Sequence, residues 1–131
     1  MKLTVAVEDC IIGAVMGLLM VGLSGKFFSL KLPDILYALG FGLFLVFIIL
    51  DLINEIANFS GSMMIIFLTF AHNIIDAVLT VAFISKFTAY TIPYITDYAV
   101  PLLSTPEGMF YAGAFLVVAN AIWIFTAPMH A

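Results

Sequence analysis

Four long apolar stretches, at about residues 7–25, 34–58, 62–87 and 106–126, leave this chain few ways to fold. Each is near the roughly 20 residues an α-helix needs to cross about 30 Å of hydrocarbon. Backbone groups in lipid must be satisfied within helices or a closed barrel, and no stretch alternates with the two-residue period of a barrel strand. The expectation is an all-α, polytopic integral membrane protein: one membrane domain over residues 1–131, with four transmembrane helices. Composition agrees, with 65% hydrophobic and 9% charged residues. A soluble domain carries about 25% charged residues. The bilayer lipid is therefore an expected partner. Four lysines without an arginine make no basic stripe, so nucleic acid is not.

The ends of the spans carry local signals. Pro33 precedes the second stretch, an "FSGS" turn at 59–62 separates the second from the third, and Pro128 follows the fourth. The fourth has the clearest start, with Thr105 as N-cap, Pro106 at the first helical position and Glu107 in the first turn. At the N-terminus, Glu8 and Asp9 interrupt the apolar core a signal peptide would need, so the first stretch is expected to remain as a span. Cys10 is alone, which rules out an internal disulfide.

Residues 88–105 form the longest connection, with Tyr90, Tyr94 and Tyr98 at four-residue intervals and prolines at 93 and 101. Tyrosine favours the headgroup level, so this segment is expected to lie broken along the membrane interface. Lys26, Lys31 and Lys86 fall on one side of a four-span layout and Lys2 on the other, which favours termini outside. Gly13 and Gly17 form a GxxxG that lets helix backbones approach, with Ser24, Gly40, Gly42, Gly113, Ala114 and Ala121 as further small packing positions.

Against this background the polar residues stand out. At about 100° per residue, Asp51, Asn54, Glu55 and Asn58 fall within roughly a third of the second helix's circumference. Thr69, His72, Asn73, Asp76 and Thr80 do the same on the third. Counting about 1.5 Å per residue from the intervening turn, Asp51 and His72 come out nearly level, Glu55 shallower and Asp76 deeper. The two stripes form an acid and histidine ladder descending through one helical hairpin, which Glu8 and Asp9 could join at its top. Asn120 is a further polar anchor, Trp123 an expected interface residue, and His130 an expected solvated terminal residue.

No lysine or arginine stands at the depth of the ladder. A charged residue at a helix centre costs at least about 2.5–3.5 kcal/mol on insertion scales, and intramembrane carboxylates normally pair or protonate. The acids therefore hold protons, bind an ion, line a hydrated cavity, or face cations of a partner subunit. The leading expectation is an accessory subunit of a larger membrane complex of respiratory or oxidase type, with other membrane subunits as partners. The second is a homo-oligomeric proton-coupled or cation transporter or channel, with Asp51, Glu55, His72 and Asp76 as relay. The third is an intramembrane metal-binding protein using the same four side chains as ligands. A metal ion is thus a possible cofactor. No catalytic motif stands in the chain, which leaves enzymatic activity open.

Overall fold

The computed structural model describes residues 2–57, 63–88 and 91–125, with the side chains of residues 2–6 and of Ile65 excepted. Asn58, the turn at 59–62, Tyr90, Thr126, Pro128 and His130 lie outside the described residues. All regular structure among them is helical: α1 (Lys2–Ser24), α2 (Asp34–Ala57), α3 (Met63–Phe87), a π-helical turn (Ile95–Ala99), α4 (Val100–Leu103) and α5 (Pro106–Phe125). Four helices are long and apolar enough to cross a membrane, over Val7–Ser24, Asp34–Ala57, Ile66–Phe87 and Pro106–Phe125. These match the four stretches expected from the sequence, although α1 begins earlier, at Lys2.

Each long helix buries a stripe at three- and four-residue spacing. On α2 it runs Tyr37, Phe41, Phe44, Ile48, Asp51, and on α5 Met109, Gly113, Leu116, Asn120. The opposite faces are apolar as well: Ile11, Val15 and Leu18 on α1, Leu39, Leu43 and Val46 on α2, Phe115, Val118 and Ile122 on α5 are all exposed. A soluble protein would put charges there. Here the greasiest surface is outside and much of the polar chemistry is inside, the distribution a hydrocarbon solvent demands.

Two antiparallel helix pairs build the bundle. α1 and α5 form the most extensive pair, and α2 with α3 the next. A Cβ on Gly17 would stand 2.7 Å from the Gly113 carbonyl oxygen, and one on Gly113 would stand 2.7 Å from that of Gly17. Only hydrogen fits at both positions. Gly40 abuts the flexible end of Met16, whereas Gly42 faces open space and packs against nothing. In the second pair, Tyr37 stacks on Phe87 with centroids 5.1 Å apart, and Phe41 on Phe83 at 4.3 Å. Further along, Asn73 meets Asp51. Every step along α2 is answered by an equal step back along α3, so aromatic rings fill one half of this seam and polar groups the other.

The connections are tied down locally. Gly25, at φ 71°, ends α1 in the left-handed region, and Leu30 N–H returns to the Gly22 carbonyl at 3.0 Å. Thr105 caps α5 as expected, its hydroxyl accepting the Gly108 N–H at 3.0 Å. Lys26 pairs with Glu107 at 3.2 Å, and Phe27 stacks on Phe110 at 5.9 Å, fastening the first loop to the start of α5. Between α3 and α5, Thr96 accepts the Ile92 N–H at 2.8 Å and contacts the Ser85 hydroxyl at 3.1 Å. Pro101 lacks an N–H, so a regular ladder cannot run through this segment, and its first part winds as a π turn.

Candidate functional site

The polar stripes of α2 and α3 face each other and are closed over by α1 and α5. Asp9, Asn73, Asp76 and Asn120 are 0% exposed, Asp51 5% and His72 7%. At about 1.5 Å per residue, Asp51 and His72 each lie about 9 Å inside the nearer end of their spans, and Asp76 about 15 Å inside. The cluster therefore sits toward the face that carries the chain termini. Lys26, Lys31 and Lys86 belong to the opposite end.

Asn73 joins α3 to α2, its Nδ2 donating to Asp51 Oδ2 at 3.1 Å. His72 joins α3 to α5, with Nε2 3.3 Å from Asn120 Oδ1 and 3.2 Å from Asp76 Oδ2. The imidazole lies flat on the Trp123 indole, with centroids 4.7 Å apart and planes 8° from parallel. Asn120 in turn donates to the Leu116 carbonyl at 2.8 Å and is backed by Gly13, where a Cβ would stand 2.7 Å from its amide. The GxxxG of α1 thus does two jobs: Gly17 admits the α5 backbone, and Gly13 admits a polar side chain of α5.

The fourth helix of the site is α1. Asp9 interacts directly with the Asp51 carboxyl, yet neither Asp9 oxygen has a hydrogen-bond partner. Asn73 Oδ1 is likewise buried without one. Asp76 Oδ2 is close to His72 without being aligned for a hydrogen bond. Oxygens in this state are costly in a low-dielectric core unless something neutralises or bonds them.

Of the residues the sequence singles out, Asp51, His72, Asn73 and Asp76 come together at the centre. Asn54 and Glu55 are half-buried at the rim, where Glu55 reaches the Thr69 hydroxyl. Thr80 closes on its own helix, donating to the Asp76 carbonyl at 2.6 Å. Asp9 enters fully, while Glu8 beside it is exposed. Trp123, expected at the membrane interface, lies near the end of α5 with its ring stacked on His72. Met63 and Met64 are exposed on the flank of α3. Among the described residues, no three His, Cys, Asp or Glu side chains converge as a metal ion would require. Asp9 meets Asp51, and Asp76 meets His72.

Comparison of the chain with protein-family models, with curated proteins and with solved structures finds no match. What the fold defines is a class: a helical protein with four apolar helices compatible with a multi-pass membrane protein.

Proposed function

We propose that this chain is an integral membrane protein whose bundle interior holds a proton site, acting in proton-coupled transport alone or as a homo-oligomer. One observation carries the reading: among buried carboxyls from three different helices, Asp9 meets Asp51 and Asp76 meets His72, without lysine or arginine among them. Two carboxylates in contact repel, whereas one shared proton turns the contact into a hydrogen bond. His72 adds an imidazole, a group able to take up and release a proton. A hard metal ion would want several oxygens around one point, and a pairwise arrangement suits a proton better.

The same inward burial weakens the case for a partner's cations facing these acids. The accessory-subunit reading then rests on the scarcity of extramembrane mass. In the proposed topology, residues 88–105 lie along the interface, with Tyr94 and Tyr98 exposed at that level. The lysine-bearing end is cytoplasmic and the termini are outside.

The test is proton flux. The purified chain is reconstituted into phosphatidylcholine vesicles with a pH-reporting dye inside, and a pH step is imposed. Faster equilibration than in protein-free vesicles is expected, falling at least tenfold in Asp76→Asn and His72→Gln. Flux equal to protein-free vesicles would sink the transport reading, and stoichiometric recovery with other subunits from native membranes would return the chain to the accessory role.

A further inference from the structure

A second feature lies at the other end of the bundle. A cleft of about 300 Å³ opens where α1, α2, α3, α4 and α5 meet. Its polar lining includes Lys31, Lys86 and Asp34, and its apolar lining includes Phe87, Leu103 and Met109. Leu103 and Met109 are buried, so the apolar part is a formed floor. Two of the chain's four lysines stand here. Lys26, nearby in sequence, is held by Glu107 at 3.2 Å, whereas Lys31 and Lys86 make no ion pair among the described residues.

We propose that this cleft binds an anionic phospholipid, with the phosphodiester between Lys31 and Lys86 and the glycerol and first acyl carbons on the Phe87, Leu103 and Met109 floor. Three physical points select this ligand. The cleft is level with the ends of the spanning helices, where lipid headgroups lie. Two ammonium groups against the single carboxylate of Asp34 leave one positive charge, which one phosphodiester balances. The apolar floor offers nothing to a free inorganic anion but suits the part of a lipid between headgroup and chain. A zwitterionic headgroup brings its own cation and would compete with the lysines, so a headgroup without an amine, as in phosphatidylglycerol, is preferred.

The experiment places the full chain in nanodiscs of phosphatidylcholine with a quarter phosphatidylglycerol, releases it into mild detergent, and measures retained lipid by native mass spectrometry. Retention of phosphatidylglycerol over phosphatidylcholine is expected. Neutralising both lysines, K31Q with K86Q, is expected to lower that preference about tenfold to thirtyfold, in line with the attraction of a surface lysine for anionic lipid. K26Q should leave it within about twofold, because Lys26 lies outside the cleft lining and is paired with Glu107. Met109→Trp narrows the cleft while leaving both lysines, and it should lower retention as well. Should the double variant not fold, the single variants K31Q and K86Q are read the same way, each expected to lose part of the preference. Unchanged preference without the lysines would overturn the proposal. So would full retention in Met109→Trp, which would mean diffuse surface attraction, or displacement of the lipid by inorganic phosphate, which would mean a free-anion site.

Discussion

His72 is one of the residues through which α3 touches α5, two helices that meet only lightly. Its ring is held by Asn120 and Asp76 at Nε2 and by the Trp123 indole on one face. Trp123 is the chain's one tryptophan, so selectively excited tryptophan emission comes from the ring stacked on His72. A protonated imidazole stacked on indole is attracted to the ring face and quenches it. Acidification of the reconstituted protein is therefore expected to lower tryptophan emission, a response that is lost in His72→Gln. An emission curve that is the same in that variant would break the link between His72 and proton binding. The sequence exposes His72, Asn73 and Asp76 because three polar residues at helical spacing make a stripe. Asp9, Asn120 and Trp123 could not be read with the same ease. Each is isolated on its buried face, and one polar residue has no periodicity. Glu8 and Asp9 are about 100° apart on the helix, and which of them turns inward depends on helices the local sequence does not contain.

Among the elements, the α1 and α5 pair depends on backbone contact. Gly17 and Gly113 bring each other's carbonyl oxygens to where a side chain would stand, and backbone cannot move aside as a side-chain end can. Gly17→Val is expected to force the helices apart and destabilise the fold by about 1–3 kcal/mol, the usual range for overpacking. Gly42→Val, into open space, should stay within about 0.5 kcal/mol. Unfolding in mixed micelles by a denaturing detergent measures both. Equal effects would mean that GxxxG proximity is incidental. The small residues were legible in the sequence, but not which of them packs. Gly13, Gly17 and Gly113 do; Gly42 does not. The turn chemistry at Thr105 and Pro106 was legible because capping is local. The π turn was less so, since it follows from Pro101 and from Thr96 bonding back to Ser85 of α3.

At the scale of the whole molecule, the interior divides into two layers. Toward the termini lie Asp9, Asp51, His72, Asn73 and Asp76. Toward the lysine end, Tyr37, Phe41, Phe83 and Phe87 stack ring against ring. Phe83, buried and touching the other three, is the centre of that layer. Phe83→Ala is expected to cost about 3–5 kcal/mol, as for other large cavities, and to speed proton equilibration across reconstituted vesicles by opening the layer. Faster equilibration should vanish when Asp76→Asn is added. If Phe83→Ala left permeability at the level of the parent protein, the aromatic layer would not be the barrier. Four spans and two polar stripes, one on each helix of the hairpin, were legible from periodicity and composition. The closure of α1 and α5 over them was not, because helix order around a bundle is set by packing between distant segments.

The layering has an electrical consequence. A proton arriving at the acids from the face that carries the termini would traverse roughly a third of the membrane's thickness, and so about a third of any voltage across it. A full elementary charge gains about 2.3 kcal/mol per 100 mV, so this fraction corresponds to about 0.8 kcal/mol. The proton affinity of the site would then change about fourfold for each 100 mV. On the proposed reading, proton binding at these acids would respond to voltage without a mobile charged helix.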